Sequence, residues 1–153
     1  MNKVGVLCKQ AVVAAVYVAL CAVNPFSFGA LQFRVANILL ALPLIDRKYA
    51  PAILLGVAIA NTTSPIGIYD VAFGVCAEGI AYAFTVYGPG KGLPSILRII
   101  VVSICVACVV GAELTWLVRA PFVATAGGLF VTTAMAVSIG YGLFARSRLR
   151  SII

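Results

Sequence analysis

Six apolar stretches divide the chain, each closed by a short polar or glycine- and proline-rich break. The first runs from about Gln10 to Val23 and stops at Asn24-Pro25. After an aromatic loop, Phe26 to Phe33, the second covers about Arg34 to Ile45 and is broken by Asp46-Arg47-Lys48. The third, about Tyr49 to Asn61, ends in Thr62-Thr63-Ser64-Pro65, where Ser64 suits an N-cap and Pro65 a first helical position. The fourth spans about Ile66 to Tyr87 and gives way to the loop Gly88-Pro89-Gly90-Lys91-Gly92. The fifth is about Pro94 to Val118. Arg119-Ala120-Pro121 separates it from the sixth, Phe122 to about Ala145, and a basic tail follows. The second and third stretches hold about a dozen residues each, too few to cross roughly 30 Å at about 1.5 Å per residue. They either extend into the flanking interface or sit partly buried among longer helices.

Composition turns these stretches into membrane spans. Of the 153 residues, 63% are hydrophobic and 10% charged, and the mean hydropathy is +1.15. A soluble domain would carry about a quarter charged residues. The expected fold is an all-α integral membrane protein, a six-helix bundle forming one transmembrane domain over 1–153. A net charge of +7 invites a nucleic-acid reading, yet the basic residues sit at span ends. Six crossings put Lys3, Lys9, Arg47, Lys48, Lys91, Arg98, Arg146, Arg148 and Arg150 on one side and only Arg34 and Arg119 on the other. That asymmetry places both termini in the cytoplasm. The basic N-terminus and the apolar run after it mimic a signal peptide, but without a small-x-small cleavage site they read as a retained first helix. Five cysteines, an odd number set in or beside apolar sequence, suit small buried hydrophobes better than a disulfide framework.

Three carboxylates, Asp70, Glu78 and Glu113, fall in the half of the membrane away from the positive loops. Each ionisable group at mid-bilayer costs about 2.5–3.5 kcal/mol on insertion scales, so it persists with a role or a partner. Glu78 lies near the middle. Asp70 is about 12 Å higher and about 80° around the same helix, so both can face one cavity. Glu113 sits just below the outer end of the fifth span, with Trp116 three residues on along the same side. Arg34 and Asn37 share a face at i, i+3, Asn61 closes the third span, and Gln32 precedes Arg34. Plainer roles exist for two of these. Asp70 favours the positive end of its own helix, and Arg34 either snorkels to the interface or pairs with a carboxylate. Glu78 has no such explanation at its depth. The excess of acid over nearby cation calls for a cationic or donor-rich solute. The inner half offers only isolated hydroxyls, Thr85 and Ser103, and a channel would need a continuous polar track. Capture in a pocket open to the outside fits better.

Ala11, Ala15 and Ala19 recur every four residues on the first span, and Gly128, Thr132, Ala136 and Gly140 do so on the sixth. Such stripes let helices approach closely without a hydrophobic drive. Each serves either packing within the bundle or contact with another protein.

Catalytic and cofactor motifs are missing. Cys105 and Cys108 form a C-x-x-C without histidine or a second pair. The Gly88–Gly92 loop lacks the spacing and hydroxyl of a phosphate loop, and no histidine is present to act as the usual general base. An enzyme is therefore the weaker reading, behind a stand-alone ion-coupled carrier using Glu78; a plain scaffold held together by its acids is a third alternative.

Two stretches carry a resemblance. Pro25-Phe26-Ser27-Phe28-Gly29-Ala30-Leu31-Gln32-Phe33-Arg34-Val35 and Ala60-Asn61-Thr62-Thr63-Ser64-Pro65-Ile66-Gly67-Ile68-Tyr69-Asp70-Val71-Ala72-Phe73-Gly74 resemble the QueT family, substrate-binding S components of energy-coupling factor (ECF) transporters. The resemblance covers the first ninety residues or so by sequence and the rest by architecture. It implies uptake of a queuosine precursor, a 7-deazaguanine base such as the aminomethyl form, or queuine, across the plasma membrane. It also implies docking of the Ala11, Ala15 and Ala19 face on a transmembrane coupling subunit driven by two cytoplasmic ATPases. ATP is then used by those partners, and this chain carries no cofactor. On that footing Glu78 and Glu113 would accept the base's ring N–H, amine and aminomethyl donors, with Asp70 in support. Gln32, Arg34, Asn37 and Asn61 would reach the remaining polar groups, and Phe28, Phe33, Tyr69 or Trp116 would stack on the ring. The family commonly has glutamate where this chain has Asn37, so the reading of the ligand at that position differs here.

Overall fold

In a computed structural model of the chain, residues 3–24 and 34–146 are described, and every element among them is helical. In chain order the longer ones are α1 (Lys3–Val23), α2 (Val35–Ile45), α3 (Ala50–Asn61), α4 (Ile68–Tyr87), α5 (Ser95–Val118) and α6 (Phe122–Arg146), with short 3-10 turns over Arg47–Tyr49 and Pro89–Gly92 in the connections. Each apolar stretch therefore holds a helix. Of these, α1, α4, α5 and α6 are long and apolar enough to cross a membrane, while α2 and α3 are short.

The sequence of α2 compensates for its length in an unusual way. It starts as a 3-10 helix over Val35–Ala41 and closes with a single α-turn, Leu42–Ile45. At about 2.0 Å rise per 3-10 residue, α2 stretches to roughly 20 Å. Three residues per turn also stack Arg34, Asn37 and Leu40 along one edge. The Leu40 carbonyl accepts from the Tyr82 hydroxyl at 3.1 Å, which fixes α2 to α4.

The entry to α4 departs from the expected cap. Ser64 and Pro65 do not begin the helix, because Gly67 intervenes with φ 65° and α4 starts at Ile68. A left-handed residue cannot continue a right-handed helix, and glycine occupies that region without a Cβ clash. Ser64 Oγ instead accepts from the Ile66 amide at 3.3 Å and builds the turn. At the other end α4 widens into a π-turn over Ala83–Tyr87. The Thr85 carbonyl there accepts from Arg98 Nε at 3.1 Å.

Helix α5 packs most extensively on α6, α1 lies against α3, α4 runs between α3 and α5, and α2 rests on α6. The two small-residue stripes behave oppositely. On α6, Ala136 and Gly140 are buried and Gly128 and Thr132 half-buried. A Cβ at Gly140 would collide with the Ile38 carbonyl of α2, so this stripe serves packing inside the bundle. On α1, Ala14, Tyr17 and Cys21 face inward, whereas Ala11, Ala15 and Ala19 are exposed. An apolar cluster containing Leu40, Ile53, Tyr82, Val102 and Val137 fills the centre of the bundle. Leu40, Tyr82 and Val137 lie about one turn beyond Asn37, Glu78 and Thr133 on their helices, so the polar residues stand over a dry floor.

Candidate solute-binding site

Three helix ends meet at Arg34. Its guanidinium donates from Nη1 to Asn61 Oδ1 at 2.9 Å and from Nη2 to Asp70 Oδ2 at 3.5 Å. Asn61 Nδ2 donates onward to the Asp70 backbone carbonyl at 2.7 Å. The planar fork of arginine suits two acceptors at once, and here it ties the head of α2 to the end of α3 and the first turn of α4. Gly74, one turn beyond Asp70, leaves room for the Asn61 amide, whose nitrogen any Cβ there would strike.

Beside this knot lies a narrow hollow between α2, α4, α5 and α6. Arg34 and Asn37, Gly74 and Glu78, Val106 and Val110, and Leu129 line it. Its volume is about 10 Å³, room for roughly one water molecule. Glu113 stands one turn from Val110 on the same face of α5 and is fully buried. Arg34 is the one buried cation among the described residues, against three buried carboxylates. Asp70 Oδ1, Glu78 Oε2 and both oxygens of Glu113 are buried without a hydrogen-bond partner among the described residues. An unmet buried acceptor costs about 1–3 kcal/mol, and more when charged. The arrangement is thus short of donors and short of positive charge.

Asn37 is held differently. Its Oδ1 accepts from the Tyr17 hydroxyl of α1 and its Nδ2 donates to Thr133 Oγ1 of α6, each at 3.4 Å. Tyr17, Thr133 and Gly74 are members of the site that sequence reading did not single out. Thr133 and Tyr17 left no distinct signal, because α6 also carries Thr125, Thr132, Ser138 and Tyr141 and α1 also carries Gln10.

Arg34, Asn37, Asn61, Asp70, Glu78 and Glu113 are all buried; Arg34, Asn37 and Glu78 share the hollow, Asn61 and Asp70 join it through Arg34, and Glu113 does not line it. The structure places Tyr69 and Trp116 on the surface beside them, 48% and 63% exposed, packed edge to face at 6.1 Å. Phe73 completes that aromatic cluster at 6.5 Å from Trp116, and neither Tyr69 nor Trp116 lines the hollow. Gln32, Phe28 and Phe33 lie outside the described residues. Cys105 is half-buried and Cys108 exposed, and no cluster of three metal-ligating side chains occurs among the described residues.

Four apolar helices of spanning length, with charged side chains buried among them, fit a multi-pass membrane protein. The family model described as QueT transporter matches residues 7–146, and the chain belongs to that family. No curated protein matches it, and no solved structure does.

Proposed function

We propose that this chain is the solute-capturing S component of an ECF-type ABC importer in the plasma membrane, specific for a queuosine precursor. In this reading all six helices form the membrane domain, both termini are cytoplasmic, and the knot of Arg34, Asn61 and Asp70 marks the outer end. The observation that carries it is the set of carboxylate oxygens on Asp70, Glu78 and Glu113 that have no partner among the described residues, beside one guanidinium. A 7-deazaguanine base presents a ring N–H and an exocyclic amine on one edge, and its aminomethyl form adds a cation. Those are the donors and the charge this site lacks. Site polar groups matched to the base reject a poor fit, because each acceptor left unmet costs about 1–3 kcal/mol. Entry of a bicyclic base requires the hollow to widen, with Glu78 and Arg34 turning toward it.

Delivery inward falls to the exposed face of α1, where Ala11, Ala15 and Ala19 would meet the transmembrane coupling subunit. Two cytoplasmic ATPases would supply the energy, with no cofactor in this chain and no nucleic acid as partner. Mass spectrometry of the small molecule that copurifies with gently solubilised protein tests the reading. A deazapurine is expected. An unrelated solute, or uptake that collapses with a protonophore while ignoring ATP depletion, would instead support an ion-coupled carrier.

A further inference from the structure

The amide of Asn37 can be oriented from its neighbours rather than from its own density of contacts. The Tyr17 hydroxyl donates to Asn37 Oδ1 at 3.4 Å. That assigns the carbonyl end of the amide to α1 and the NH₂ end to Thr133 Oγ1 on α6, also at 3.4 Å. Each end keeps capacity to spare, one N–H and one lone pair, and Asn37 lines the hollow. The neighbouring acids differ in kind. Ionised carboxylates only accept, so they select solute donors but cannot pair with a solute acceptor. An amide fixed at both ends can.

We propose that Tyr17 is a positioning residue that, with Thr133, locks the Asn37 amide so that this wall of the hollow reads the donor–acceptor order of a bound base. The inference rests on the hollow being the base-binding site. With a base held at Glu78, a guanine-type edge places a carbonyl beside a ring N–H, whereas an adenine-type edge places an amine beside a bare ring nitrogen. A locked amide pairs with one order. An amide released from Tyr17 or Thr133 can flip and pair with either, so discrimination falls while general stickiness survives. Both bonds are long, so the expected effect is modest.

The experiment is titration calorimetry of the full-length protein in detergent with 7-deazaguanine and 7-deazaadenine as probes, on wild type, Tyr17→Phe, Thr133→Val and Thr133→Ser. The ratio of the two affinities is expected to fall about fivefold in Tyr17→Phe and in Thr133→Val, consistent with a single neutral hydrogen bond. Thr133→Ser should keep the wild-type ratio. A merely structural role would weaken both bases in the same proportion, and that result, or an unchanged ratio in both variants, overturns the assignment. Thr133→Val approaches the amide from the opposite end and decides the matter if Tyr17→Phe does not fold. Wild type that binds neither base overturns the reading of the hollow itself, an outcome distinct from wild type that discriminates while the variants discriminate equally well.

Discussion

Arg34 and Asp70 face each other at 3.5 Å inside the bundle, both buried, and the same guanidinium holds Asn61. Removing one member of a buried ion pair strands the other, at about 3–5 kcal/mol. Arg34→Met is expected to lower thermal stability in detergent sharply, and the double variant Arg34→Met/Asp70→Asn to recover roughly half of the loss. Arg34→Lys should also lose stability, since a point-charge ammonium cannot span two acceptors in fork geometry. Thermal unfolding of the set checks this. Equal losses in the single Arg34→Met and the double variant would show that the pair is uncoupled.

Glu78 and Glu113 are expected to trade stability for binding. Buried oxygens without a partner among the described residues weaken the empty protein, so Glu78→Gln and Glu113→Gln should each leave its melting temperature unchanged or raise it, by up to about 1–3 kcal/mol in stability terms. The same changes should weaken capture of 7-aminomethyl-7-deazaguanine at least about tenfold, because a charge-assisted hydrogen bond is lost. Paired melting and titration measurements separate the two effects. Wild-type affinity in Glu78→Gln would remove that residue from the site, and a strong drop in melting temperature would give it a structural role.

The helices were legible because lipid leaves little choice: each span must satisfy its own backbone, so it announces itself as an unbroken apolar run. Val23, Ile45, Asn61, Tyr87 and Val118 close their helices as the breaks in the pattern suggest. The start of α4 was not legible, since the decisive feature is the positive φ of Gly67 rather than the capping chemistry of Ser64. Nor was the 3-10 winding of α2, because a helix apolar on nearly every side carries no periodicity to tell 3.0 residues per turn from 3.6. Arg34, Asp70, Glu78 and Glu113 stood out because charge is costly in a bilayer. Tyr17 and Thr133 did not, because both residue types are ordinary packing groups. Their meaning comes from meeting Asn37 across separations of 20 and 96 residues.

The contact between Gly140 and the Ile38 carbonyl makes α6 sensitive to a single methyl group. Gly140→Ala must push α2 away from α6, at about 1–3 kcal/mol for overpacking. Gly127, on the same helix, has open space around its missing Cβ. Gly127→Ala should gain up to about 1 kcal/mol from helix propensity. Opposite shifts in melting temperature are therefore expected from the same chemical change at two sites on one helix. A neutral Gly140→Ala would mean that α2 does not sit against α6 as described.

On the proposed function, Ala15 is expected to separate capture from delivery. It lies at the centre of the exposed small-residue stripe of α1, on the face opposite Tyr17, which is buried. A bulky side chain there costs the isolated bundle little, because Ala15 is exposed among the described residues. It would hold an approaching helix away from the backbone and so abolish the close packing such stripes permit. Ala15→Leu is expected to bind solute within about twofold of wild type, well inside the range of neutral surface changes, while uptake by cells carrying the complete transporter falls to background. Titration on purified protein and uptake in cells are needed together. Loss of binding by the isolated variant would return the stripe to packing within the bundle, and normal uptake would show that the coupling subunit docks elsewhere.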